Sequence, residues 1–442
     1  MAPQTTKYVA ALGLTLALGV IAGCSLPEPD GTEATLAAQA AGLEPLTPAE
    51  GHSPEAVSRN ALLLSPTVRE AASRIAASAD EVRVQRAVIF PSLGLSIAGG
   101  VGAAGNDDTN IDLKGRQLVL DFGKTKRAVT AADLDVQIDY VSFQQSVDTA
   151  IFDVLEAYDA VQRYVLVLEV RRKQLSAMRD LQRLVADRHT IGAAPSSDVL
   201  ETRKRLQAAE FLVHDTELLL AETRDRLARL SGQPRGGRIP NLKVGSCSSD
   251  SNSDEVRKAR LELAKAQLGL ESAERARLPS AYIEPLVRHK VGTGGLSTGI
   301  NIGVTSDLLQ GGALTARANA ARNNRVGAEA AVGTAQRNAQ LDVGQLKREI
   351  SAAGIRTQML NRQISLLIET RSVYRSQYFD LGTREISELL DNEEEFYNRK
   401  AELVDLASEL NMNKVECAIR EQSLRRSIGV DASSIYGYPL KH

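Results

Sequence analysis

The chain of 442 residues is short of aromatic side chains, with Phe 7, Tyr 10 and Trp 0. Large globular cores and tight ligand pockets draw on rings for buried area and stacking. Their scarcity argues against such a core and favours thin helix seams of Ala, Leu and Val. An excess of charge of one sign is also missing, since 55 acidic side chains face 53 basic ones for a net charge of −2. That balance excludes a general nucleic-acid binder, whose surface must displace counterions from phosphate. Charged residues make up 24%, an ordinary share that excludes disorder over most of the chain. Cysteine is confined to Cys24, Cys247 and Cys417, and His52, His189, His214, His289 and His442 form no ligand-spaced set with them. No metal or cofactor is therefore expected. No nucleophile and base stand in a recognisable arrangement, so a catalytic reading has little to rest on. A literal dinucleotide fingerprint and a partial phosphate loop also fail. Gly100-x-Gly102-x-x-Gly105 leads into another strand where its motif demands a helix, and Gly123-Lys124-Thr125 has Leu118 where the first glycine belongs.

What is present starts with an address. Residues Lys7 to Cys24 combine one positive charge, a short apolar run and small residues before a cysteine. The run is too short for a stable spanning helix and has the layout of a secretory signal. Ile21-Ala22-Gly23-Cys24 resembles the bacterial lipobox, which implies a lipid-modified Cys24 as the first mature residue. The alternative is ordinary cleavage with Cys24 discarded. Ser25 follows rather than the aspartate associated with inner-membrane retention, so the expected destination is the outer membrane. Cys247 and Cys417 then form an even pair in an oxidising compartment, either bonded or two unrelated thiols.

Length alone suggests about three domains, but an internal repeat replaces that view. Pro91 recurs as Pro279, Gly123 as Gly312 and Gly192 as Gly382, at offsets of 188, 189 and 190. The chain reads as one unit written twice: a signal peptide (1–23), an N-terminal linker (24–53), a first repeat (54–232), an insertion (233–252), a second repeat (253–429) and a tail (430–442). Each repeat predicts a helix, two strands, a long helix, a turn and a helix. Helices are expected over 54–89 and 253–278, each ending at the repeated proline. Alternation then puts Leu296, Thr298, Ile300, Ile302 and Val304 on one strand face. On the partner strand, Glu284, Arg288 and Lys290 oppose Ile283, Val287 and Val291. Unit one repeats this loosely with Leu93, Leu95 and Ile97 and a return strand ending near Leu120. Proline-free runs at 124–190 and 313–380 would each make a helix of about 100 Å. Four strands in a lone sheet would leave open edges, and a membrane accepts strands only in a closed barrel. Three chains would supply twelve.

With these features the sequence resembles the TolC family of outer-membrane efflux proteins over essentially all of the mature chain. The residues carrying the resemblance are Phe90-Pro91, LVLDFGKTKRAV, IGAAPSSDVLE, LARLSGQP and above all YFDLGTREISELLDNEEEFYNRK (Tyr378 to Lys400). The last stretch looks closest to members serving type I protein secretion, and drug-efflux members share most of it. The resemblance implies a mainly α trimer with a small β part: a twelve-stranded barrel continuous with a long periplasmic helical barrel. It implies a passive duct, whose partners are a homotrimer's own copies, a periplasmic adaptor and an inner-membrane ABC or proton-driven pump. The rival from another class is a periplasmic coiled-coil adaptor or scaffold lipoprotein. Adaptors carry one hairpin flanked by β-rich domains, whereas this chain has two hairpins and two strand pairs.

The two hairpin tips hold the candidate functional residues. Asp198 and Glu201 in unit one match Glu388 and Asp391 in unit two, each pair on one helix face. By resemblance, Glu388 and Asp391 match an acidic ring at the periplasmic constriction, which would concentrate cations. The alternative is dipole stabilisation, because acids are favoured in the first turn of any helix. The family's closed gate is held by polar links between tips. By position Arg384 would reach toward Ser197 or Asp198 across an interface or hairpin, with Gly192 and Gly382 at the turns. The place of a linking tyrosine hydroxyl is taken by Phe379, which has none, while Tyr378 next to it lies about 100° around the helix. Barrel strands also lack an aromatic girdle beyond Phe90, Phe122 and Tyr282.

Overall fold

A computed structural model describes residues 31–101, 107–239, 247, 253–291, 295–307 and 310–441. The expected signal and Cys24 lie outside the described residues, as do the turn 292–294 and all of 240–252 except Cys247. In chain order the first elements are α1 (Thr32–Ala41), β1 (Glu44–Pro45), α2 (Pro54–Leu64), α3 (Pro66–Ala87), β2 (Ser92–Val101) and β3 (Asp107–Leu120). Next come α4 (Lys124–Thr190), α5 (Ser196–Ser231), α6 (Asp254–Glu274), β4 (Ser280–Val291) and β5 (Leu296–Thr305). The last are α7 (Ala313–Ser376), α8 (Ile386–Arg420), α9 (Leu424–Ser427), β6 (Ser433–Ile435) and β7 (Tyr438–Pro439). The chain divides into two compact units. One holds the stretch up to Ala38, Ala79–Asp133 and Pro279–Thr305, and the other holds Gln39–Ser78, Leu134–Leu278 and Ser306–His442.

The first unit is built on one antiparallel sheet in the order β2-β3-β4-β5. Each sequence repeat contributes a hairpin, and the two hairpins join along β3 and β4. Alternation along each strand sorts the residues by face. Rows such as Leu95↔Leu113↔Val287 and Ile97↔Ile111 carry the apolar side chains, and Ser96↔Asp112↔Arg288↔Ser297 the polar ones. The apolar face is bare within the chain, with Leu95 67% and Ile302 77% exposed. Phe90 and Phe122, at strand ends, are exposed as well.

In the second unit the helices follow seam periodicity. On α4 the buried residues Val136, Tyr140, Phe143, Val147, Ile151, Val154, Tyr158 and Val161 recur at three and four positions, a narrow stripe facing neighbouring helices. Exposed ion pairs Arg172–Glu217 and Arg226–Glu156, both 2.7 Å, link α4 to α5. Such pairs fix register more than they stabilise, each contributing about 0–1 kcal/mol.

Three expected boundaries move. The helix expected over 54–89 is two helices, because Pro66 forces Ser65 into extended backbone at φ −66 and ψ 118. The helix expected to reach Asp380 ends at Ser376 in a π turn, Gln377–Leu381. The linker and tail contain paired strands: β1 runs parallel to β6, and β6 antiparallel to β7. Arg425, 1% exposed, secures this tail. Its guanidinium donates to Asp148 Oδ1 (2.8 Å), Gln144 O (2.6 Å) and Leu440 O (2.9 Å). Cys247 and Cys417 are joined in a disulfide with Cα atoms 5.4 Å apart, packed on Leu346.

Candidate functional site

The two tips lie together in the second unit, over one apolar cluster. Leu175, Met178, Leu181 and Val185 of α4, Ala209 of α5, and Ile386, Leu389 and Leu390 of α8 surround Tyr378. Both turns rest on glycine in the left-handed region, Gly192 at φ +75 and Gly382 at φ +64, where a side chain would be strained. Beyond them Pro195 and Glu385 cap α5 and α8 without a side-chain hydrogen bond, and Asp198 and Glu388 occupy the first turns. These are the positions where a carboxylate meets the positive end of the helix dipole.

Three arginines organise the polar groups of the tips. Arg205 on α5 pairs with Glu201 (3.1 Å) on its own helix and with Asp391 (2.7 Å) and Glu394 on α8. It thus joins the acidic pairs of both repeats, and it holds the Glu201 carboxyl below the usual range. Arg384 donates to Gln377 Oε1 (2.7 Å) and pairs with Glu388, while its guanidinium lies 3.7 Å from the centre of the Tyr374 ring. Arg188, at the end of α4, donates to the carbonyls of Phe379 and Ala193 and lies 5.4 Å over the Tyr378 ring.

The link between repeats differs from the one expected. Within one chain Arg384 does not reach Ser197 or Asp198; its partners there belong to the α7–α8 hairpin. Asp198 instead receives the Tyr378 hydroxyl, Oη to Oδ2 at 2.8 Å. Burial, aided by that bond, pushes the Tyr378 phenol well above its ordinary value, so it stays a donor at any physiological pH. Tyr378 lies in the π turn Gln377–Leu381, the irregular end of the long helix, where the backbone departs from the i to i+4 repeat. Phe379 packs edge-on against it at 4.9 Å. Ser197 contacts only its neighbour Asp198, at 3.4 Å, among the hydrogen bonds described.

Arg188 and Arg205 were not singled out from sequence. Arg205 stands four residues after Glu201, which signals a pair on one helix, yet nothing local shows that α8 brings Asp391 and Glu394 to it. A buried carboxylate, Glu393, was missed too. It is fully buried beside Arg371 (2.5 Å), and burial pushes its carboxyl above the usual range against the pull of that arginine. Among the described residues no group of three potential ligands could hold a metal ion. Likewise no described helix is long and apolar enough to cross a membrane.

The sequence and the fold have known counterparts. Residues 57–233 match the family described as outer membrane efflux protein. Nodulation protein T of Rhizobium leguminosarum bv. trifolii is 22% identical over 353 residues, covering 73% of this chain and 75% of that protein. The outer membrane protein TolC of Escherichia coli (strain K12) is 23% identical over 420 residues, covering 83% of each. Among solved structures, the outer membrane protein VceC of Vibrio cholerae superposes with a TM-score of 0.72 at 17% identity, over 84% of this chain and 95% of that one. At such identity the superposition speaks to the fold.

Proposed function

We propose that the chain belongs to the outer membrane efflux protein family, whose model matches residues 57–233 and whose fold is that of channels and not of enzymes, and that it is the trimeric exit duct of a tripartite export system. The sheet of the first unit carries this reading. It has one face of exposed Leu and Ile, one polar face, and outer strands β2 and β5 that each pair on one side only. An open sheet of this kind is an association hazard in water. A bilayer tolerates it only when closed, with apolar residues outward and polar residues inward. Three copies of four strands make a closed set of twelve.

In this reading the paired tips form the periplasmic constriction. Glu388 and Asp391 present carboxylates to the pore, Arg384 and Arg205 balance them, and the Tyr378–Asp198 bond holds the α7 end against α5. Cys24 carries lipid into the outer membrane. The partners are a periplasmic adaptor and an inner-membrane ABC or proton-driven pump, serving type I protein secretion, small-molecule efflux or both.

Heat-modifiable trimer migration and ion conductance of the purified protein in planar bilayers test the duct; a monomer that carries no current would end the reading. Replacing Glu388 and Asp391 by alanine should weaken cation selectivity and shift it toward anions, because Arg384 loses its carboxylate and Arg205 one of its three. Unchanged selectivity would assign the constriction elsewhere. Loss of palmitate labelling in Cys24→Ser tests the anchor.

A further inference from the structure

The sheet sorts charge as well as apolarity. On its polar face, the described ionisable side chains of β3 and β4 are Asp112, Lys114, Arg116, Glu284, Arg288 and Lys290, by the registers Asp112↔Arg288 and Asn110↔Lys290. The opposite face, by the same parity, has His289 as its one ionisable group among the described side chains. Within the polar set the two carboxylates are matched by arginines. Arg288 holds Asp112 through two bonds, 2.7 and 2.9 Å, and Arg116 stands 3.5 Å from Glu284 while stacking 3.8 Å over the Tyr282 ring. Lys114, 3.5 Å from the already paired Asp112, and Lys290 are the surplus. Among the described side chains, four cations less two anions leave +2 per chain on this face. Both lysines are exposed, whereas Asp112 is 7% exposed and screened by its partners.

The chain as a whole is slightly acidic, at −2, so this surplus is a local feature of the sheet. The tip differs, with its carboxylates clustered around Arg205 and Arg384. Resting on the duct reading, in which the polar face lines the lumen, we infer that this face is an anion-accepting surface whose Lys114 and Lys290 receive the carboxylate, phosphate or sulfate groups of solute in transit. Three copies bring six surplus lysines around one lumen. Charges of one sign along a low-dielectric wall focus their field and raise the local concentration of counter-charged solute. Lysine suits such a wall, because its hydrated point charge on a flexible stem gathers anions without the rigid bidentate grip of a guanidinium.

The test is block of the current through the full-length protein in planar bilayers, with polyglutamate or polylysine of matched length added to each compartment in turn. From one side polyglutamate should block at lower concentration than polylysine. The double variant Lys114→Gln and Lys290→Gln should raise its half-blocking concentration by about fivefold or more, and added salt should shrink the difference. Lys114→Arg with Lys290→Arg keeps the charge and should keep the block, which separates lost charge from lost folding. The inference is overturned if the glutamine variant is blocked as readily as the parent, or if polylysine is the stronger blocker from both sides. Absence of any current in the parent overturns the duct reading itself, and this inference with it.

Discussion

At the residue scale, adjacent positions do unlike work. Tyr378 is 6% exposed, bonded to Asp198 and flanked by Arg188, while the Phe379 side chain packs beside it with no hydroxyl to donate. Tyr378→Phe should cost about 1–2 kcal/mol, the usual range for a hydrogen bond to a charged group when part of its partner's solvation is regained. Phe379→Tyr should be close to neutral. Denaturant midpoints read both, and equal effects would mean the tip bond contributes nothing. Glu393 gives a pH dependence with a definite sign. Its folded-state pKa is raised by burial, so its contribution is complete below the ordinary glutamate value and is lost as pH rises through the higher folded value. Asp159, buried against Ser408 and Asn411, is raised for the same reason and adds in the same direction. Glu393→Gln should therefore lose less stability between pH 5 and pH 8 than the parent; parallel pH profiles would refute this. Sequence displayed these carboxylates only as charges within helices. Their burial depends on which helix lies opposite.

At the element scale, local rules foretold much of the architecture. The proline-free run from Lys124 to Thr190 is one helix, and the alternation in 281–291 and 296–304 is a hairpin, because each pattern is written in adjacent residues. Local rules also explain the departures. Pro66 divides the first helix, and the second long helix ends early in the π turn at Gln377–Leu381, which holds Tyr378 and Phe379. One device could not be read locally, the strap after α5. A Cβ on Gly236 would lie 2.3 Å from the Tyr158 carbonyl and 2.6 Å from Val161 Cβ, so the strap crosses α4 backbone against helix. The Tyr158 hydroxyl then donates to His52 O at 2.9 Å. Gly236→Ala should destabilise by about 2 kcal/mol or more, the scale of an overpacked contact with backbone that cannot yield. A melting temperature equal to the parent's would show that the strap is not held there.

At the scale of the whole molecule, the disulfide and the buried Arg425 tie distant sequence into the second unit. Cys247 and Cys417 are separated by 170 residues, so their bond removes about 5 kcal/mol of unfolded-chain entropy on the loop-closure estimate. Cys247→Ser with Cys417→Ser should lower thermal stability accordingly, and two free thiols found by mass spectrometry without reductant would remove the premise. The sequence by itself determined the duplicated plan, the helix and strand types and the apolar stripe of each element, since periodicity and proline placement act over a few residues. It also placed the acidic residues of the tips. The tertiary structure alone decided their partners. Arg205 meets Asp391 across 186 residues and Tyr378 meets Asp198 across 180, because packing chooses such contacts by helix phase in three dimensions. The scarcity of rings has its answer in the same packing. Narrow seams are filled by Leu, Val and Ala, and several of the few rings are concentrated where α4, α7 and α8 converge, at Tyr378, Phe396 and Tyr397.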